Sequence, residues 1–271
     1  MNNKQNLHTH TTYCDGLDTP VQMIETALAK GFHSLGFSGH SYMFYSPDHS
    51  MSLEGTEQYK AEITALKAQY REQLPLFLGL EVDMYSQVDL NGYDYLLGAC
   101  HYLKLGDEYI GFDRSSAECR RIVQTHFGGD GLAFAKEYYR QLADLPQYGQ
   151  FDVVAHIDLV TKTLEQYALF DWHSKEYLTA AVEAIDALRN KIPFFEVNTG
   201  AIARGYRTSP YPTKTLLQEL HLRGFGATIS SDCHDAQQLD RAFTDAVDLL
   251  QECGYTERYI LTKNGFHAVE L

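Results

Sequence analysis

No apolar run in the 271-residue chain approaches membrane-spanning length, which excludes an α-helical span. The opening MNNKQN lacks the apolar stretch that a signal peptide needs, so the chain is expected to be soluble and cytoplasmic, with no membrane partner. Pro/Gly/Ser-rich linkers, internal repeats and low-complexity tracts are missing as well. With 44% hydrophobic residues the chain can bury a core of barrel size, and the expectation is one domain over residues 1–271.

Cysteine is sparse and unpaired in pattern. Cys14, Cys100, Cys119, Cys233 and Cys253 are odd in number, widely spaced and free of any CxxC, which argues against a disulfide framework and for a reducing compartment. All five read as small buried hydrophobes, with Cys100 facing away from its neighbour His101 on a strand. Basic residues are also in deficit: 22 Lys and Arg stand against 36 Asp and Glu, for a formal charge of −14. They are scattered, so a nucleic-acid groove is excluded as a partner site.

What is present is an alternation of short apolar runs with amphipathic stretches, the pattern of βα units around a parallel sheet. Strands are predicted at 5–10, 34–40, 76–83, 95–102, 153–156, 194–198 and 227–231. Thr19-Pro20 opens the first helix and Gly31 ends it. Further helices are predicted at 57–71, 116–127, 132–142, 173–189, 213–223 and 236–253, and Asn264-Gly265 marks a closing hairpin. His8, His10, His40, Glu81, His101, His156, Asn198 and Asp232 all fall at or just past a strand's C-terminal end. In βα barrels that rim is where active-site side chains converge.

The candidate metal ligands are His8, His10, Asp15, His40, Glu81, His101, His156, Asp232 and His234. Residues two apart on a strand face one side, so His8 and His10 can meet one ion. Nine ligands exceed the needs of a single ion and suit three; mixed imidazole and carboxylate ligation favours zinc, iron or manganese over calcium and magnesium. His33, His49, His126, His173, His221 and His267 lack such placement and read as surface or structural residues. Three divalent ions would concentrate positive charge at one place, so an acidic chain could still take a small anion.

The ordered motifs HTHTTYCDG, GFSGH, GLEVD, GACHY, VAHIDL and SSDCH resemble those of the polymerase and histidinol phosphatase superfamily over nearly the whole chain. The resemblance implies an α/β fold, a distorted seven-stranded (β/α)7 barrel of TIM-barrel type, with a trinuclear metal centre at the C-terminal strand ends. It further implies that His8, His10, Glu81 and Asp232 hold one ion, that Glu81, His101 and His156 hold a second with Glu81 bridging, and that Asp15, His40 and His234 hold a third.

The implied activity is metal-dependent hydrolysis of L-histidinol phosphate to L-histidinol and phosphate, by in-line attack of a metal-bridging hydroxide. Glu81, Asp232 and His234 are the expected catalytic members. Arg204 and Arg207, in NTGAIARGYRTSPYP after the strand ending at Asn198, are the expected phosphate ligands, since a guanidinium fork suits phosphoryl oxygens. Asp158 or Asn198 could orient a ligand histidine, and Tyr42-Met43-Phe44-Tyr45 could form a pocket wall or lid. Two alternatives stay open: a phosphoesterase for another small phosphomonoester or nucleotide, and a metal-binding module of the kind fused to bacterial polymerases. The oligomeric state is not legible in the sequence.

Overall fold

Strands and helices alternate along much of the chain, as the hydrophobic periodicity predicts. The computed structural model describes residues 3–271, so the first two residues of the polar opening lie outside it. The first half contains β1 (Gln5–Asn6), α1 (Pro20–Ala29), β2 (Ser34–Phe37), α2 (Leu53–Tyr70), β3 (Leu76–Asp83), β4 (Tyr95–Ala99), β5 (Tyr102–Leu105), β6 (Glu108–Gly111), α3 (Ser116–His126) and α4 (Gly131–Leu142). The second half contains β7 (Val153–Val154), α5 (Lys175–Leu188), β8 (Phe194–Asn198), α6 (Gly200–Ala203), α7 (Lys214–Leu222), β9 (Gly226–Ser230), α8 (Phe243–Glu252), β10 (Glu257–Thr262) and β11 (Gly265–Glu270).

Seven strands form one sheet in the order β1-β2-β3-β4-β7-β8-β9, every neighbouring pair parallel. Its edges meet beyond β1, where a parallel bridge joins Thr9 to Cys233. There the His10 N–H donates to the Cys233 carbonyl at 2.9 Å and the Cys233 N–H to the His8 carbonyl at 3.3 Å. The result is a nearly closed seven-stranded βα barrel, distorted because β1 and β7 are only two residues long. No described helix is long and apolar enough to cross a membrane.

Alternation on the strands sorts side chains between two apolar layers. On β4, Tyr95, Leu97 and Ala99 face the barrel interior, whereas Leu96 and the following Cys100 join the larger core under the outer helices. The inner layer adds Leu7, Phe77, Val153 and Ala155, and it is stoppered by Leu261 and Phe266 of the β10–β11 hairpin. Gln5 pins that hairpin, its amide donating to the Leu261 carbonyl and accepting the Leu261 N–H, both at 2.8 Å. The hairpin forms where the sequence puts it, but its turn falls one residue earlier than the Asn264-Gly265 pair: Thr262 pairs with Gly265, and Lys263-Asn264 form the loop.

Several predicted elements change, the 5–10 and 34–40 strands by shortening to Gln5–Asn6 and Ser34–Phe37. The 95–102 strand breaks after Ala99, and Tyr102 instead opens an antiparallel hairpin, β5–β6, that the sequence reading missed. The 153–156 strand ends early because His156 takes a φ of 22°, outside extended geometry. The 236–253 helix becomes a short 3-10 turn and α8, separated by Ala242 at φ 56°. Carbonyls in that break are diverted to the barrel: Leu239 accepts from Asn6 and Ser231, and Arg241 accepts from Thr199.

The Tyr95 ring fills the barrel interior only because two neighbours lack a side chain. A Cβ on Gly79 would stand 2.2 Å from the Tyr95 ring and one on Gly36 would stand 2.4 Å from its hydroxyl, which donates to the Leu7 and Phe37 carbonyls. Gly79→Ala should therefore destabilise the fold by about 1–3 kcal/mol through overpacking. Denaturant unfolding of Gly79→Ala, Tyr95→Ala and the double variant measures it. The double variant should lose less than the two single losses added together, and simple additivity would refute the clash.

Candidate metal centre

All nine predicted ligands converge at the C-terminal mouth of the barrel. His8 and His10 follow β1, Asp15 lies in the loop before α1, and His40 follows β2, bridged to Glu81 of β3. His101 follows β4, His156 follows β7, and Asp232 and His234 follow β9. Thr9, between the first two histidines, turns outward and donates its hydroxyl to the Gly36 carbonyl, as strand alternation requires. Gly16 lets the 11–16 loop fold back on itself, since a Cβ there would lie 2.4 Å from the Thr11 nitrogen. That turn aims Asp15 at His10, His40 and His234.

The Glu81 carboxylate is the centre of the cluster. Its Oε2 lies 3.2 Å from His8 Nε2, 3.5 Å from His10 Nε2 and 2.9 Å from His40 Nδ1, while Oε1 lies 3.3 Å from His101 Nε2 and 3.0 Å from His156 Nε2. Asp232 Oδ1 stands 3.6 Å from His8 Nε2 and 3.3 Å from His10 Nε2. Asp15 faces His234 Nε2 at 3.3 Å and His40 Nε2 at 3.7 Å. Two donors sharing a tetrahedral ion at about 2.1 Å stand roughly 3.4 Å apart, so these separations suit coordination.

The donor atoms themselves point the same way. His8 Nε2, His10 Nε2, Asp15 Oδ1 and Glu81 Oε2 are all buried without a hydrogen-bond partner. A buried unpaired polar atom costs about 1–3 kcal/mol, and four of them directed at one place are explained by a shared electrophile. The residues therefore fit divalent metal. Candidate groups of donors lying within 4.8 Å of one another are His8, His10 and Asp232; His8, Glu81 and His156; His40, Glu81 and His101; and His10, Asp15, His40 and His234.

Burial opposes every charge here, and close partners reverse that opposition for most groups. Burial works against protonation of His8 and His101, yet Glu196, Glu81 and Asp232 raise the first and Glu81 with Asp83 raises the second, both well above the ordinary histidine value. His40 is raised too, by Glu81 and Asp15 against its burial. His10 goes the other way, to about 3, through burial and the neighbouring His234 and His40. Glu81 and Asp232 are held well below the usual carboxylate range, despite burial, by the surrounding histidines and, for Asp232, first by Arg204.

The two arginines separate. Arg204 reaches the centre: its guanidinium donates to the Asp232 carbonyl and Oδ2, each at 2.9 Å, and stands 3.3 Å from His234 Nδ1, with 29% of the side chain exposed. Arg207 is wholly covered. Its terminal nitrogens donate to Thr161 Oγ1 and the Pro210 carbonyl, and its plane lies over Tyr211 and Trp172. The expectation that Arg207 serves as a second phosphate ligand is therefore corrected, because its fork is committed to the wall. Asp158 is likewise corrected: it accepts the Thr213 N–H and faces Arg207 rather than a ligand histidine.

Several site residues escaped the sequence reading. Glu196 and Asp83 face His8 Nδ1 and His101 Nδ1 at 2.9 and 3.4 Å; their signal was a carboxylate inside an apolar strand. Asn198 reaches His8 only through Glu196. Cys14 is half-buried with Sγ 3.5 Å from His10 Nδ1, and burial beside Asp15 pushes its thiol up to about 12. A cleft of about 100 Å³ opens beside the centre, walled by Met43, His49, His101, Tyr102, Asp113 and Arg114, so His49 belongs to the mouth after all. Lys162 pairs with Asp113 on that wall. Of the 42–45 run, Met43 lines the cleft, while Tyr45 donates to Asp83 and stacks on Tyr109 at 4.4 Å.

Known proteins resemble this chain over most of its length. The chain is 28% identical over 265 residues to the histidinol-phosphatase of Bacillus subtilis, covering 89% of this chain and 97% of that one. It is 26% identical over 261 residues to a protein named probable histidinol-phosphatase in Deinococcus radiodurans, covering 91% and 92%. The fold matches that of the Lactococcus lactis histidinol phosphate phosphatase, solved with zinc, L-histidinol and phosphate, at a TM-score of 0.72 and 19% identity over 98% of this chain and 99% of that one. The family model described as the PHP domain matches residues 6–200, and the chain belongs to the PHP domain family.

Proposed function

We propose that the chain is a metal-dependent histidinol-phosphatase, a phosphoric monoester hydrolase that cleaves L-histidinol phosphate to L-histidinol and phosphate. The observation that carries this reading is the nine-residue donor cluster at the barrel mouth, joined to full-length similarity with proteins of that name. Zinc fits the mixed imidazole and carboxylate donors, and the Lactococcus lactis protein was solved with it.

His8, His10, Glu81 and Asp232 would hold one ion, Glu81, His101 and His156 a second, and Asp15, His40 and His234 a third. The two oxygens of Glu81, each facing different histidines, support its bridging role. When bound, such ions supply Lewis acidity, neutralising phosphoryl charge and making water a stronger acid. Arg204 binds a phosphate oxygen at the rim, its guanidinium oriented by Asp232. Arg207 holds the loop that carries Arg204 by its bonds to Thr161 and Pro210. Met43 and Tyr102 line the cleft and keep water from the substrate's organic half.

Steady-state kinetics on a phosphomonoester panel, run on a preparation of known metal content, tests the substrate. L-histidinol phosphate should give the highest kcat/KM; a sugar phosphate or nucleoside monophosphate better by tenfold or more would reassign it. His10→Ala and Glu81→Ala should each lose bound metal together with activity, and near-normal turnover in both would falsify the metal mechanism. Arg204→Met should lower kcat/KM on the order of 10²–10³-fold while bound metal is retained. An unchanged kcat/KM would remove Arg204 from the phosphate site.

Metal uptake should also expel protons. His8 and His101 are both raised by the carboxylates beside them, so the metal-free protein favours their protonated forms, and those protons must leave for the rings to ligate. Apparent zinc affinity should therefore fall as pH falls. Titration calorimetry in buffers of different ionisation enthalpy reads the number of protons, and a value of zero at pH 7 would contradict these shifts.

A further inference from the structure

Glu196 of β8 is buried at the barrel interior and gathers four partners from four parts of the chain. Its Oε1 accepts the backbone N–H of His156 at 2.9 Å and the side-chain amide of Asn198 at 2.7 Å. Its Oε2 accepts the Ser230 hydroxyl at 2.6 Å, and His8 Nδ1 sits 2.9 Å from Oε2 and 3.1 Å from Oε1. Among the described residues, the carboxylate belongs to none of the donor groups that could hold an ion.

We infer that Glu196 is a positioning residue: it fixes the His8 ring with its proton on Nδ1, leaving Nε2 free to ligate, and it pins the turn that carries His156. The inference rests on the proposed metal site. A neutral imidazole carries one N–H and one lone pair, and a carboxylate can only accept. Nδ1 facing Glu196 must therefore hold the hydrogen, and the lone pair falls on Nε2. That atom is buried and unpartnered, 3.2 Å from Glu81 and 3.6 Å from Asp232. Orientation of a ligand histidine through its other nitrogen commonly contributes 10–100-fold to metal affinity.

The second half of the role concerns His156, whose φ of 22° is a conformation that side-chain-bearing residues rarely adopt. Its N–H bond to the same carboxylate holds it there. One group thus ties a ligand from β1 to a ligand from β7, across a sheet whose strands end at those points.

Glu196→Gln is nearly isosteric and gives a directional outcome. The Gln oxygen must occupy the Oε1 position, because the His156 N–H can only donate and the Asn198 amide cannot flip while its Oδ1 accepts the Gly200 N–H at 2.8 Å. The new NH2 then takes the nearer position, 2.9 Å from His8 Nδ1, and donates to it in competition with the 3.1 Å contact to the Gln oxygen, which favours the ring hydrogen on Nε2, the ligating atom.

Zinc affinity is read by chelator competition on folded protein, with stoichiometry by elemental analysis. Glu196→Gln should bind at least one zinc about 10–100-fold more weakly than wild type. Ser230→Ala, which removes one bond to the carboxylate and keeps the Nδ1 contact, should change affinity by less than about threefold. A folded Glu196→Gln within about threefold of wild type overturns the inference and leaves the proposed function standing. A wild-type protein that takes up no zinc overturns both. Should Glu196→Gln fail to fold, nitrogen-15 NMR of zinc-loaded wild type decides: His8 should have a protonated Nδ1 and zinc on Nε2, and zinc on Nδ1 overturns the inference.

Discussion

A single buried carboxylate sets the terms for the whole barrel mouth. Glu81 is 1% exposed and lies within 3.5 Å of nitrogens from His8, His10, His40, His101 and His156. Taking an unpaired carboxylate out of water costs several kcal/mol, so its charge must be met by nearby positive charge or by metal. Imidazoles alone meet it unevenly: carboxylates raise His8, His40 and His101 against their burial, whereas burial with the neighbouring His234 and His40 drives His10 to about 3. Divalent metal resolves both conflicts together, since it neutralises the carboxylate and accepts the lone pairs of neutral rings.

Satisfying Glu81 requires five rings from strands far apart in sequence to reach one point, and that is a demand on closure. The bonds that bring β1 to β9 are those of His8 and His10 to Cys233, between Asp232 and His234. Closure of the sheet and assembly of the site are therefore the same set of contacts. The opposite end is sealed by different means: Tyr95 fills the interior above Gly36 and Gly79, and the β10–β11 hairpin stoppers it with Leu261 and Phe266. Apolar packing holds the lower barrel, so the upper rim can accommodate strained residues such as His156 and Asp232 at positive φ.

The first layer of the site was legible because each member ends or follows a strand, and strand-end position survives errors in strand length. The predicted 5–10 strand pairs as β1 only over Gln5–Asn6, yet His8 and His10 still face inward. The second layer was less legible for a physical reason. Glu196 and Asp83 lie within apolar strands, where alternation gives a facing direction but not a partner. The anomaly of a buried carboxylate was the signal available. Loops were the least legible: nothing in the spacing of Arg204 and Arg207 says which guanidinium turns to the rim, because loop backbone has no fixed period. The break in the 236–253 helix was hidden too, since it arises from Asn6, Ser231 and Thr199 taking carbonyls across the barrel.

The walls of the cleft are built on different principles from the centre. The 42–45 run reaches β3 through Tyr45 and Asp83, the 204–211 loop reaches the centre through Arg204 and Asp232 and pairs with β8 through Tyr211 and Asn198, and the stretch after β6 is tied to its neighbours by Lys162 to Asp113 and Tyr206 to the Arg114 carbonyl. Between those links the wall residues pack on one another, as Tyr45, Phe44 and Tyr109 do. A substitution at Met43, His49 or Arg114 can thus reshape the cleft without moving any ring around Glu81. His8 and His101 lack that freedom, since each faces the cluster on one side and a buried carboxylate, Glu196 or Asp83, on the other. Rigidity is concentrated where the charge is buried, around Glu81, and the exposed wall at His49 and Phe44 lies outside it.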